Sequence, residues 1–87
     1  MQHNFVLVAP GAAEEVGALA DRLATQPDSL AQGYLPESNK ILQATPLVQP
    51  KQKSELNFTA PAVPGRYPFI CTFPGHWRIM RGVLVVE

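Results

Sequence analysis

The sequence predicts an all-β fold, an antiparallel β-sandwich with one inserted α-helix. Several short segments alternate between apolar and polar residues, Pro- and Gly-rich turns separate them, and one stretch changes to helical periodicity. With 87 residues, of which 46% are apolar, the chain is expected to form one domain. Its 7 basic and 7 acidic side chains balance, so charge predicts no binding to nucleic acid or to an anionic membrane surface.

The first predicted strand and the helix lie near the amino terminus. Residues 3–8, HNFVLV, are rich in aromatic and β-branched side chains, and alternation places Phe5 and Leu7 on the face expected to be the core. Residues 12–25 place apolar side chains at the spacing of an amphipathic helix. Gly17 weakens that helix, so packing against the domain is expected to hold it.

The remainder of the chain is expected to supply the other strands. Residues 26–40 contain too many turn residues for either periodicity and predict a long surface connection. A short strand is expected around Leu47–Val48, confined by flanking prolines. Alternating segments at 54–60, 66–71 and 81–87 predict three further strands.

Apolar side chains also occupy the face opposite the predicted core. These residues are Val6, Val8, Val83 and Val85. A strand that is apolar on both faces is expected to be covered on both, so something should cover this second face.

Four side chains that can bind a metal are expected at one pole of the sandwich. His3 opens its strand and Cys71 closes another, so antiparallel pairing brings these ends together. The loop CTFPGHWRIM adds His76 and Met80. Each residue alone has a commoner structural role, but two imidazoles, a thiolate and a weak thioether together are the donor set of a blue-copper electron-transfer site. A structural zinc site would favour paired cysteines and no thioether.

The neighbours of these ligands have predicted supporting roles. Pro74 and Gly75 turn the loop so that the histidine returns toward the sulfur. Asn4 is expected to hydrogen-bond to the loop after the cysteine, and backbone amides near Asn4 and Phe73 are expected to donate to the thiolate. Trp77 either packs on the loop or joins Pro74 in an exposed apolar patch where a redox partner docks.

The motif CTFPGH, followed by a methionine and a glycine, with HNFVLV upstream, closely resembles the azurin and auracyanin branch of the cupredoxins, the type 1 blue copper proteins. The His-Asn pair, the Cys-to-His spacing and the closing strand all match this family. The resemblance implies a Greek-key β-sandwich and one copper ion that alternates between Cu(I) and Cu(II). It also implies an electron carrier rather than an enzyme, transient docking with redox proteins, and a periplasmic or other extracytoplasmic location.

Carried over by position, the resemblance makes His3, Cys71 and His76 the equatorial copper ligands and Met80 the axial one. Azurins place a glycine carbonyl opposite the methionine, whereas this chain has Gln2 there. A weaker fifth interaction, and a site closer to four-coordinate, is the expected result.

The resemblance also implies missing strands, because a cupredoxin has several strands before its first histidine ligand. Residues 1–87 are therefore expected to be a single cupredoxin-like domain that is truncated at its amino terminus. Fused upstream sequence or dimerisation would complete the sheet. The sequence predicts neither a signal peptide nor a transmembrane segment within this chain.

Three alternatives stay open from the sequence. The chain could be the type 1 copper module of a larger multidomain oxidoreductase, or a metal-free interaction module with a cupredoxin fold. A thiol enzyme that uses Cys71 and His76 is a more distant alternative, because the loop is expected to hold the sulfur toward a metal pocket rather than a substrate cleft.

Overall fold

The sheet of the protein has four antiparallel strands in the order β2-β1-β3-β4, in a computed structural model that describes residues 2–87. One helix, α1, lies between the first two strands in the chain. The elements are β1 (Val6–Val8), α1 (Ala13–Leu23), β2 (Ile41–Ala44), β3 (Gly65–Ile70) and β4 (Arg81–Val86). Among the described residues, no helix combines the length and the apolar character that crossing a bilayer requires.

The main apolar cluster lies between α1 and one face of the sheet. Val6 and Val8 of β1 and Ile70 of β3 pack there against Val16 of the helix. The prediction that the Phe5 and Leu7 face forms the core was therefore incomplete, because the helix covers the opposite face. Leu7 is also fully buried, so both faces of β1 are covered.

Only part of the second apolar face is covered. The register pairs Ile70 with Arg81, so Val83 and Val85 lie on the same side of the sheet as α1. Their exposed fractions are nevertheless 46% and 53%. The helix thus covers the predicted apolar face at β1, while the valines of the edge strand β4 stay accessible.

Two of the predicted strands were wrong, one in its position and the other because no strand forms there. The second strand is Ile41–Ala44, and Val48 forms only an isolated bridge with His3. Residues 54–60 form no strand, and Phe58 is 36% exposed. Alternation creates an amphipathic segment, but a strand also needs a neighbour for its backbone N–H and C=O groups, and this segment pairs with none of the four strands.

The 71–80 loop connects β3 to β4 and is held by backbone hydrogen bonds. The His76 N–H donates to the Phe73 carbonyl (3.0 Å), and the Met80 N–H donates to the His76 carbonyl (2.8 Å). The Cys71 N–H closes the loop by donating to the Met80 carbonyl (3.1 Å). Gly75 has φ +82°, a left-handed conformation that favours glycine, in agreement with the turn predicted at this point.

Candidate metal centre

His3, Cys71 and His76 form one compact cluster. Their potential ligand atoms all lie within 4.8 Å of one another. The cysteine is 3% exposed and His76 is 7% exposed, while His3 is half-buried. The antiparallel sheet therefore brings together the three side chains that the sequence placed at one pole.

Each member of the cluster is fixed by its backbone. His3 exchanges two hydrogen bonds with Val48: its N–H donates to the Val48 carbonyl (2.9 Å) and its carbonyl accepts from the Val48 N–H (2.7 Å). Cys71 directly follows β3, and His76 sits inside the hydrogen-bonded turn of the 71–80 loop. The three potential ligand atoms thus belong to residues whose backbones are each held by hydrogen bonds at a different point of the fold.

The distances within the cluster fit a bound metal ion. Cys71 Sγ and His76 Nδ1 are 3.6 Å apart. A sulfur and a nitrogen bound to one ion at roughly 2.3 and 2.0 Å, at about 120° to each other, would be separated by about 3.7 Å. His3 Nδ1 is buried and has no hydrogen-bond partner among residues 2–87, as expected for a nitrogen that can bind a metal but not for a core histidine with both ring nitrogens hydrogen-bonded.

The protonation of His76 also favours metal binding. Burial, and next the nearby His3, lower the pKa of His76 below its ordinary value of 6.5. Neutral imidazole is the form that coordinates metals, since the imidazolium has no free lone pair. The cluster therefore keeps this nitrogen available near neutral pH.

Met80 and Gln2, the other two predicted contributors, lie in different surroundings. Met80 is 36% exposed and lines one cavity with Cys71. Gln2 is half-buried and lines a separate cavity with Gly33 and Leu47. The axial role of Met80 and the weak interaction opposite it stay predictions.

Asn4 makes the hydrogen bonds expected of it. Its Oδ1 accepts from the Thr72 N–H (2.8 Å) and its Nδ2 donates to the Thr72 hydroxyl (2.7 Å). Thr72 is only 1% exposed, so both bonds are shielded from water. This pair ties the segment of one candidate ligand, His3, to the residue after another, Cys71. The sequence analysis did not single out Thr72, although a polar residue directly after an apolar run was a signal that could have indicated it.

Phe73 contacts His76 through both its backbone and its ring. Its carbonyl accepts the His76 N–H, and its ring packs on the His76 ring with centroids 4.8 Å apart. The Phe73 ring also contacts the Tyr34 ring edge-on, with centroids 5.3 Å apart. Donation from backbone amides to the sulfur stays a prediction.

Trp77 is buried rather than exposed. Its side chain is 7% exposed and belongs to the apolar cluster beneath α1. The assignment of Trp77 to an exposed docking patch was therefore wrong, and the alternative, packing on the loop, describes its position better. Pro74 is half-buried, while Ile79, which the sequence did not single out, is 80% exposed. The indole is held inward because α1 offers it a complementary surface.

The antiparallel sheet, the single helix and the buried His-Cys-His cluster together define a small, mainly β, metal-binding protein. The chain belongs to the plastocyanin/azurin family of copper-binding proteins, whose pattern matches residues 1–87. This membership confirms the resemblance inferred from the CTFPGH motif.

Individual relatives agree with this assignment. Auracyanin-A of Chloroflexus aurantiacus is 42% identical over 87 residues, which are 99% of this chain and 51% of that protein. Azurin of Pseudomonas aeruginosa is 32% identical over 90 residues, covering 100% of this chain and 57% of the azurin. The chain thus spans about half the length of the curated relatives it matches.

A solved structure extends the likeness to the fold. The structure of auracyanin A, described as a "blue" copper protein from Chloroflexus aurantiacus, superposes with a TM-score of 0.81 at 40% identity. The match covers 100% of this chain and 68% of that one. The four-stranded sheet and helix described above therefore correspond to part of an auracyanin fold.

Proposed function

We propose that this chain carries single electrons between redox proteins through one type 1 copper ion. His3, Cys71 and His76 would hold the ion, with Met80 as a weak axial ligand. The observation that carries this proposal is the convergence of the three potential ligand atoms within 4.8 Å. Membership in a copper-binding family supports the choice of metal.

Copper, when bound, supplies a one-electron couple between Cu(I) and Cu(II), and a mixed set of imidazole and sulfur donors suits both oxidation states. The protein contributes a fixed and nearly dry environment. Cys71 and His76 are both more than nine-tenths buried, and the hydrogen bonds of the 71–80 loop limit their movement. Ligands that stay in place need little rearrangement when the charge at the site changes.

A protein with this function carries electrons and does not need to catalyse a chemical reaction. The azurins and auracyanins among the relatives support an electron carrier over a catalyst. A thiol enzyme is disfavoured because Cys71 is only 3% exposed and its sulfur lies within 4.8 Å of the ring nitrogens of two histidines. A metal-free interaction module is disfavoured because the ligand set is intact and His3 Nδ1 has no hydrogen-bond partner in the part of the chain that the structure describes.

We further propose that residues 1–87 form one cupredoxin-like unit that belongs to a larger Greek-key β-sandwich. The structure of auracyanin A supports this, since this chain corresponds to 68% of it. The exposed Val83 and Val85 on β4 offer a surface for further sheet. Upstream sequence or a second copy would supply that sheet, and the unit could equally serve as the copper module of a larger oxidoreductase.

The location and partners are proposed from the relatives. We propose a periplasmic or other extracytoplasmic location for this chain, as its resemblance to azurins and auracyanins implies. Its partners would be redox proteins that dock transiently. An electron carrier must release its partner rapidly, so a small interface is expected.

A copper titration tests the proposal directly. Adding Cu(II) to the metal-free protein should produce an intense visible absorption from charge transfer between the cysteine thiolate and the metal. The matched control is Cys71→Ser, which keeps the size of the side chain but removes the sulfur, and it should stay colourless. No band in the wild-type protein, or the same band in Cys71→Ser, would reject the proposal.

A further inference from the structure

Helix α1 contacts the 71–80 loop at the residue next to the ligand His76. Trp77 has its indole buried directly over Gly17 of the helix. A Cβ atom at position 17 would overlap three carbons of that indole, so only glycine leaves room for it. The glycine that weakens the helix is therefore the feature that lets the loop dock.

One carboxylate on α1 engages both residues that follow His76. Asp21, one helical turn after Gly17, accepts the Trp77 Nε1–H at Oδ1 (3.1 Å) and the Arg78 Nη2–H at Oδ2 (2.9 Å). The Arg78 guanidinium carbon lies 4.7 Å from the centroid of the Trp77 ring. Asp21, Trp77 and Arg78 therefore all contact one another.

The bond to the indole is the important one of these contacts. The Arg78 and Asp21 side chains are 62% and 37% exposed, so water and salt screen their ion pair. The indole, in contrast, is largely buried, and its single donor would lose its partner without Asp21. Asp21 therefore fixes the orientation of the ring rather than merely adding charge.

We infer that Asp21 is a positioning residue for the metal site and acts on His76 through Trp77. This inference rests on the copper function proposed above. The His76 backbone is held by the hydrogen bond from its N–H to the Phe73 carbonyl and by the bonds that its carbonyl accepts from the Ile79 and Met80 N–H groups. The docked indole of Trp77 adds a side-chain restraint next to it. Releasing the indole removes that restraint, so His76 Nδ1 is held less firmly at 3.6 Å from the sulfur.

The first test is the affinity for Cu(I), measured by competition with a chromogenic chelator. Asp21→Ala should weaken Cu(I) binding by about tenfold, the lower end of what loss of a ligand-orienting partner costs, and should shift the thiolate-to-copper absorption of the separately prepared Cu(II) form. Asp21→Asn keeps an acceptor oxygen for the indole and should restore most of the affinity. Glu15→Ala removes the same charge from an exposed position of the same helix and should bind Cu(I) with the affinity of the wild type.

The second test uses the metal-free protein. The NMR resonances of the His76 ring and of the Trp77 indole N–H should both move in Asp21→Ala, and much less in Asp21→Asn and Glu15→Ala. If the wild-type protein binds no copper, the proposed function fails, while these resonances still decide whether Asp21 orients His76.

A further variant guards against misfolding. Trp77→Phe retains a buried ring but removes the donor to Asp21, so it should reproduce the loss of affinity even where Asp21→Ala does not fold. The inference is overturned if Asp21→Ala, or Trp77→Phe in its place, shows the copper affinity, absorption and His76 resonances of the wild type.

Discussion

The two halves of the 71–80 loop differ sharply in how they are held. In the first half, Cys71, Thr72, His76 and Trp77 are all buried, and side-chain contacts with α1 and with Asn4 fix them. In the second half, Arg78, Ile79 and Met80 are exposed. Arg78 contacts Asp21 and Trp77 at the surface, while Ile79 and Met80 are restrained by backbone hydrogen bonds. The difference teaches that the closest packing in the loop surrounds Cys71 and His76, two members of the candidate metal cluster, while the Met80 side chain is left accessible.

The largest expected effect comes from the buried half. Trp77→Ala should lower the free energy of unfolding of the metal-free protein by about 3–5 kcal/mol, because it leaves a cavity under α1. Denaturation with urea measures this loss. Ile79→Ala, in the exposed half, should change the same quantity by no more than about 0.5 kcal/mol. Equal losses in the two variants would abolish the contrast between the halves.

A smaller loss of stability is expected when the hydrogen bonds between Asn4 and Thr72, in the buried half, are removed. Asn4→Ala should cost about 1–3 kcal/mol, because the buried N–H and hydroxyl of Thr72 lose their partner. Asn57→Ala, at an exposed position, is the control and should be nearly neutral. If Asn4→Ala behaved like the control, the two hydrogen bonds would not hold the segment of His3 to the loop.

The pH dependence of the metal-free protein probes His76 itself. The folded chain resists protonation of His76, whereas the unfolded chain takes up that proton below its ordinary pKa of 6.5. The free energy of unfolding should therefore fall as the pH drops from 6.5 toward the lowered pKa of the folded state. It should be fully recovered when the pH is raised above 6.5. Denaturation curves at about pH 8 and about pH 5.5 test this. His76→Gln should lose this component, and an unchanged dependence in that variant would assign it elsewhere.

The smallest effect on stability is expected in the exposed half. Met80→Leu should change the free energy of unfolding by less than about 1.5 kcal/mol, since it preserves volume at a partly exposed position. It should keep the blue absorption of the copper form while raising the reduction potential, because the axial ligand tunes that potential. Voltammetry measures the shift. A potential that stays constant would remove Met80 from the axial role.

Much of the structure could be predicted from local patterns. The helical spacing of residues 12–25 predicted α1 within two residues at each end, and the alternation at 66–71 and 81–87 predicted β3 and β4. The cluster of His3, Cys71 and His76 also followed from the sequence, because antiparallel pairing brings the His3 and Cys71 ends of their strands together and the loop then returns His76.

The remaining features depend on contacts between distant parts of the chain. The alternation at 54–60 could not reveal that no neighbouring strand pairs with it. The burial of Trp77 depends on the absence of a side chain at Gly17 and on an acceptor at Asp21, both more than fifty positions earlier in the chain. Such complementarity is a property of the packed molecule, and neither residue signals it alone.

The bond between Asn4 and Thr72 joins residues 68 positions apart, which sets the order in which the site can be assembled. A growing polypeptide leaves the ribosome amino end first, so His3 emerges long before Cys71 and His76 exist. The pocket can therefore form only after nearly all of this sequence has been synthesised and folded. Acquisition of a metal by this protein should follow folding rather than guide its early stages, and chains arrested before residue 76 should retain none.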